Sequence, residues 1–325
     1  MGEKDMAAKT LEGYNDVFAD MVNVFLFDGE QVVREEELMP ADTLSQYKAD
    51  NEIHEQERDV SKIWRHIGIN IALIGFENQS YPDRFMPLRV LSYDGAAYRQ
   101  QLNRSKESDN TGTKNCCPVI TLVLYFGSKK WSYGMSVYDC VDIPEGLKPF
   151  VNDYKMNFYA MQDMKSEQIQ KFQSDFRIIA EFFGQTSQNE QTVPAFSDQV
   201  LDHPQETLNM IQVFSGDRRY LDAYNAMLGE NTEGGVTMSN IYSKTLDQIA
   251  EQEIEKGRAE GRAEGRAEGR AEGRAEGRIE GIAKGVEKGK AEMIRTLMSL
   301  GRSVKEIAEF FKTDEAEING ILSVT

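Results

Sequence analysis

The chain has 325 residues, 40% of them apolar, and a formal net charge of −17. That length accommodates one large domain with appendages, and the apolar share supports a buried core. No run of about 18 apolar residues occurs, which excludes a transmembrane helix, and the polar start Met1 to Lys9 argues against a secretory signal.

In chain order, Leu11 to Phe27 spaces Val17, Met21, Val24 and Phe25 as one helix does. Asp16, Asp20 and Asn23 fall near one another on a different face, a solvated face unless Asp20 lends an acid to a site. Gln31 to Glu57 is polar and reads as loop-rich. A short segment, Val60 to Trp64, follows Asp59. The apolar run Ile71-Ala-Leu-Ile-Gly-Phe-Glu77-Asn-Gln79-Ser80 has strand length. Side chains alternate along a strand, so Glu77 and Gln79 point one way and Ile74, Phe76 and Asn78 the other. If the two segments pair, Asp59, Glu77 and Gln79 converge at one side of a sheet.

Pro82 and Pro87 open a helix that runs to about Leu102. Arg104 to Asn115 is a hydrophilic connector. Val119 to Phe126 is nearly all apolar or β-branched, as a central strand buried on both faces is. Tyr154 to Tyr159 suits an edge strand. Helical segments follow at about Glu167 to Phe183 and Pro204 to Leu228.

Five identical Ala-Glu-Gly-Arg units then occupy Ala259 to Arg278, with degenerate copies through Gly289. Their i,i+4 neighbours are Glu with Glu and Arg with Arg, and each Gly costs roughly 1 kcal/mol relative to Ala in a helix. A solitary helix is therefore disfavoured. The segment is either a flexible linker or a helix whose charge stripes meet another chain. Ala291 to Leu300 reads as a short amphipathic helix stopped by Gly301. In Ser303-Val-Lys-Glu-Ile-Ala-Glu-Phe-Phe311, Ser303 and Glu306 form a capping box, and Asp314 starts a last helix to Leu322. This small helix-turn-helix-like unit holds four basic and six acidic residues over 292–325. That charge fits a protein contact better than base reading. The expected organisation is a core at 1–165, a helical extension at 166–250, the repeat at 251–290 and the terminal unit at 291–325.

Asp59 and Glu77 together offer the two carboxylates that Mg²⁺ takes from a protein, water and phosphate filling the other positions. Such an ion activates water and stabilises the charge that builds when a phosphodiester is cut. The pattern D…ExQ is a variant of the D…(D/E)xK signature of the PD-(D/E)XK nucleases. The surrounding sequence, from Glu77-Asn-Gln-Ser-Tyr-Pro-Asp-Arg-Phe-Met-Pro-Leu-Arg-Val-Leu-Ser-Tyr-Asp-Gly-Ala-Ala to Tyr98, resembles the core of the Rpn family of recombination-promoting nucleases/putative transposases. Phe18 to Gly29, Glu57-Arg-Asp-Val60, Pro118 to Gly127 and Leu147 to Tyr154 extend the resemblance to roughly residues 10 to 230. It implies an α/β restriction-endonuclease-like core, a mixed sheet flanked by helices. It further implies cleavage of DNA with Mg²⁺, or Mn²⁺ in its place, linked to recombination or to defence against mobile DNA. Asp59 would bridge metal and water, Glu77 would be the second metal ligand, and Gln79 would orient water or a phosphate oxygen. The superfamily's Lys is Gln79 here, which supplies no positive charge, so slow or strongly regulated cleavage is expected. No third acidic residue supports DDE-type transposition.

Residues 251–325 hold 14 basic and 16 acidic side chains, leaving 23 basic and 38 acidic, a balance of −15, for the first 250. This is a poor footprint for a non-specific nucleic-acid binder unless a local basic groove exists. Arg84, Arg89 and Arg99, on the helix after the strand, are candidates to meet phosphates or to stand in ion pairs. The competing reading is a catalytically decayed nuclease fold that acts as a scaffold, with the C-terminal region making a homo-oligomer. Cys116, Cys117 and Cys140 form no C-x-x-C pair and read as reduced, buried thiols of a cytoplasmic protein. His54, His66 and His203 have no paired spacing, so no zinc site is expected, and no P-loop or Rossmann fingerprint occurs.

Overall fold

The computed structural model describes residues 3–41, 44–49, 52–107, 116–186, 198–228 and 235–323. The chain forms two compact units, Met1–Gln248 and Ile249–Thr325. The first is α/β. Its elements are α1 (Glu3–Glu12), α2 (Asn15–Phe27), β1 (Leu38–Pro40), β2 (Leu44–Ala49), β3 (Glu52–Glu57), β4 (Val60–His66), β5 (Ile69–Gln79), α3 (Met86–Glu107), β6 (Val119–Tyr125), α4 (Val137–Cys140), β7 (Asn157–Ala160), α5 (Ser166–Ile169), α6 (Phe176–Thr186), α7 (Pro204–Ser215) and α8 (Arg219–Met227).

Five strands make one mixed sheet in the order β1-β4-β5-β6-β7. The β1–β4 and β4–β5 pairs are antiparallel, and β5–β6 and β6–β7 are parallel. A hairpin joins β4 to β5, and α3 lies in the crossover to β6, the kind of connection parallel strands need. The apolar run of β6 is explained by burial on both faces. Leu122 and Leu124 join Ile74 and Phe76 in the main core beneath α1, α2, α6, α7 and α8. Val123 and Tyr125 pack on the other face against Met86 and Val90 of α3 and against Trp131.

Several sequence expectations need correction. Leu11 to Phe27 is not one helix. α1 ends at Glu12, and Tyr14 is extended (φ −69°, ψ 140°), its ring stacked on His203 at 3.7 Å. Helical periodicity survives the break because both helices present apolar residues to the same core. Gln31 to Glu57 contains β1 and the hairpin β2–β3, whose polar strands carry no apolar pattern to announce them. The connector after Leu102 begins as helix, to Glu107, and 108–115 lie outside the described residues. The two later helical segments are each broken, α5 from α6 and α7 from α8. Of the cysteines, Cys117 and Cys140 are buried as expected, but Cys116, which precedes β6, is exposed.

The repeat is helical throughout. α9 (Met238–Ser299) starts with Met238 and Ile241 buried and runs on without interruption, so Ala291 begins no separate helix. In the second unit α9 is followed by α10 (Val304–Phe311) and α11 (Glu315–Ser323). Gly301 at φ 83° closes α9. Its N–H and that of Arg302 donate to the carbonyls of Met298 and Leu297, a Schellman motif. The capping box is present, with the Ser303 hydroxyl and the Glu306 amide and carboxylate bonded reciprocally. Ile294, Ile307, Ala308 and Ile318 form this unit's own small core. Among the described residues, no helix is long and apolar enough to cross a membrane.

Candidate active site

Strand pairing brings the predicted residues together. Val60 pairs with Phe76, so Asp59, one residue before β4, lies beside the C-terminal end of β5. Its Oδ2 accepts the Asn78 backbone N–H at 2.7 Å. Its Oδ1 is 3.1 Å from Lys9 Nζ of α1, with both side chains largely buried. Along β5 the alternation holds. Glu77 faces α3, where its Oε1 receives Arg89 Nη2 at 2.6 Å, Gln79 Nε2 at 3.2 Å and the Tyr93 hydroxyl at 3.4 Å. Asn78 faces α1 and donates from Nδ2 to Glu12 Oε2 at 2.8 Å.

Glu12 is the acid that sequence reading missed. It ends α1 rather than lying within the apolar helix, and its carboxyl is completely buried. Asp20 has a different task. Its Oδ2 accepts the backbone N–H groups of Gln173 and Ser174 and the Ser174 hydroxyl, just before α6. Asp20 is thus a structural acceptor remote in contacts from Asp59.

Glu12 and Glu77 lie on opposite faces of β5, and Asp59 is within electrostatic reach of both. Burial, with the charge of Asp59 next in size, pushes Glu77 up to about 8 against the opposing contact with Arg89. Burial likewise pushes Glu12 up to about 8, the Asn78 hydrogen bond opposing it. Burial raises Asp59, with the Asn78 N–H and Lys9 pulling it back. Among the described residues, Glu12 Oε1, Glu77 Oε2 and Asn78 Oδ1 are buried without a hydrogen-bond donor. Buried orphan oxygens are costly, about 1–3 kcal/mol each if left unsatisfied.

A second charge network lies on the α3 side. Arg58, buried next to Asp59, donates from Nη2 to Asp94 Oδ1 at 2.5 Å. Asp94 also accepts the Thr121 hydroxyl at 2.6 Å and the Tyr154 hydroxyl. Gly75 makes room for Arg58, since a Cβ there would stand 3.0 Å from Arg58 Cδ. Of the arginines offered for phosphate, Arg89 bridges Glu77 and Asp83, Arg84 lies over the Phe85 ring, and Arg99 is exposed. His66 pairs with Glu37 and His203 with Asp16, both away from the site. Among the described residues, no three His, Cys, Asp or Glu side chains close into a metal cage by themselves.

A family model described as "putative transposase, YhgA-like" matches residues 70–208, somewhat under half of the chain. The match agrees with the family resemblance carried by Glu77 to Tyr98. It takes in Glu77, Gln79, Arg89 and Asp94, and leaves Lys9, Glu12, Asp59 and the whole of α9 outside it. No curated protein and no solved structure matches the chain.

Proposed function

We propose that this protein, as a relative of the YhgA-like putative transposases, acts on mobile DNA by metal-dependent hydrolysis of phosphodiester bonds. The observation that carries this reading is Glu77 Oε2, buried without a donor among the described residues and within electrostatic reach of Asp59. The donor set is all oxygen and mostly carboxylate, which suits a hard divalent cation such as Mg²⁺, with Mn²⁺ as a substitute. Asp59 and Glu77 would hold the ion. Glu12, reached through Asn78, would add negative charge from the α1 side.

When bound, the ion supplies a polarised phosphate and an activated water. The chain's own residues arrange the rest. Gln79, beside Glu77, offers an amide that donates and accepts and so can orient water or a phosphate oxygen. Lys9 places a positive charge against Asp59 that residue 79 does not supply. Arg89 already bonds Glu77 Oε1, so it would compete with a cation for that carboxylate. This competition is a physical reason to expect slow or regulated cleavage.

The test is incubation of plasmid DNA with the purified protein in Mg²⁺, Mn²⁺, Ca²⁺ or EDTA. Nicking or cutting that needs Mg²⁺ or Mn²⁺ supports the reading. Metal-independent cutting, or none under any condition, overturns it. The second reading, a scaffold without catalysis, is favoured by the Arg89–Glu77 ion pair and by the acidic balance of the first 250 residues. It predicts no cleavage with either ion and no change in DNA binding on adding metal.

A further inference from the structure

β5 and β6 are parallel, so both deliver their C-terminal ends to one edge of the sheet. Open α/β sheets bind ligands outside that edge. The segments that leave it, residues 80–85 after β5 and 126–136 after β6, touch each other. The Phe126 N–H donates to the Gln79 carbonyl at 2.8 Å. Gly127 comes so close that a Cβ there would stand 2.5 Å from the Ser80 carbonyl oxygen. Both segments are also held from beneath. The Tyr125 hydroxyl donates to the Lys129 carbonyl at 2.6 Å, and the buried Trp131 ring lies 5.2 Å from that of Tyr125. Cys140 Sγ of α4 donates to the Arg84 carbonyl at 3.0 Å. Asp83 accepts the Phe85 N–H at 2.9 Å and Arg89 Nη1 at 3.1 Å, and the same guanidinium holds Glu77. One side chain thus ties this edge to the candidate catalytic carboxylate.

What these segments present differs from the acidic average of the first 250 residues. Residues 126–136 carry Lys129 and Lys130 and no acid. Residues 80–85 carry Arg84 and one acid, Asp83, whose two oxygens are already engaged. Arg84, Lys129 and Lys130 are exposed, and among the described residues none of them stands in an ion pair. By contrast, exposed Lys148 and Arg219 each hold a carboxylate. Beside the free cations stand two exposed rings. Tyr81 is 73% and Phe85 52% exposed, with the Arg84 guanidinium 5.6 Å from the centre of the Phe85 ring.

Unpaired cations beside exposed flat rings suit a ligand that offers both phosphates and accessible base faces. A duplex hides those faces in its stack, and three cations neutralise few of its phosphates. We propose that residues 80–85 and 126–136 bind single-stranded DNA beside the candidate active site. Phosphates meet Arg84, Lys129 and Lys130, and unpaired bases stack on Tyr81 and Phe85. The identity of the strand as DNA rests on the function proposed above, to which this surface adds that the strand reaching Glu77 is unpaired. A plasmid offers such a strand only where negative supercoiling opens the duplex.

The test is fluorescence anisotropy of the full chain with a labelled DNA strand of about 20 nucleotides and with a blunt duplex of the same length, in EDTA so that no cleavage enters. The single strand should bind roughly 10-fold more tightly than the duplex. Tyr81→Ala and Phe85→Ala should each weaken it roughly 10-fold without altering its dependence on salt, and Tyr81→Phe should keep the wild-type affinity. Lys129→Ala and Lys130→Ala should each flatten the slope of log affinity against log salt by about 0.7. All four side chains are exposed, so each variant keeps the fold, which thermal unfolding checks. A duplex bound as tightly as the single strand, or alanine variants with wild-type affinity, overturns the surface even where metal-dependent cleavage occurs. An RNA strand of the same length bound more tightly than the DNA overturns the choice of DNA. Single-strand binding with these losses, but no cleavage with any ion, upholds the surface and removes the nuclease.

Discussion

Glu77 is divided between its two oxygens. Oε1 lies 2.6 Å from Arg89 Nη2, while Oε2 is buried with no donor among the described residues. One half of the carboxylate is thus held in an ion pair, and the other is buried beyond reach of a donor among the described residues. Asp59 adds its charge at the same end of β5, so the strand end carries more negative charge than its own hydrogen bonds satisfy.

Removing either carboxylate should end metal-dependent cleavage. Asp59→Ala and Glu77→Ala are expected to lose at least 100-fold in rate, about 2.7 kcal/mol of barrier. Titration of Mg²⁺ or Mn²⁺ by calorimetry should show weakened binding in the same variants. Wild-type rates in both would place the chemistry elsewhere. Because Glu12 touches the site only through Asn78, Glu12→Gln should cost less than either.

The pH dependence has a definite sign. Glu12 and Glu77 have folded values raised to about 8 from an ordinary 4.5, so the folded state holds these protons more tightly than the unfolded state does. Their contribution to stability is complete below about 4.5 and is lost as pH rises toward 8. Thermal unfolding without metal should therefore occur at lower temperature at pH 9 than at pH 6. Glu12→Gln and Glu77→Gln should each flatten that slope. A divalent ion needs the deprotonated forms, so its affinity should rise with pH over the same range. A metal affinity that is flat between pH 6 and 9 would contradict the role given to these carboxylates.

Gln79→Lys tests the residue that departs from the superfamily pattern. The Gln79 amide already stands 3.2 Å from Glu77 Oε1, so an ammonium there would gain a direct charge partner. Activity should be retained or increased. A 100-fold loss with metal binding intact would instead assign the amide a role of its own.

The β4–β5 hairpin turns through Ile67 and Gly68 with φ of 47° and 78°. Positive φ at both positions is the type I′ geometry, which Asn-Gly satisfies and a β-branched residue resists. Ile67 is also 86% exposed, so its side chain gains little from packing. Ile67→Asn should raise stability by about 1 kcal/mol, measured as a higher denaturant midpoint at unchanged slope. An unchanged or lower midpoint would mean that the turn is not strained.

The α/β class was implied by the family resemblance, whereas local sequence was enough for the alternation of Glu77 and Asn78, the buried strand β6 and the capping box at Ser303. Each depends on spacing along one element, which periodicity records directly. Pairing of β4 with β5 entered the sequence reading only as a condition, and the structure supplied both the pairing and its register. What tertiary structure alone decided was which acid the first helices bring. Asp20 and Glu12 both stand near apolar positions, and only the bend at Gly13 and Tyr14 sends Glu12 to Asn78 and Asp20 to the start of α6. The polar hairpin β2–β3 was hidden because its strands carry no apolar alternation, and the Arg58–Asp94 pair because its partners lie 36 residues apart. A charge becomes informative only once burial removes the water that would otherwise satisfy it.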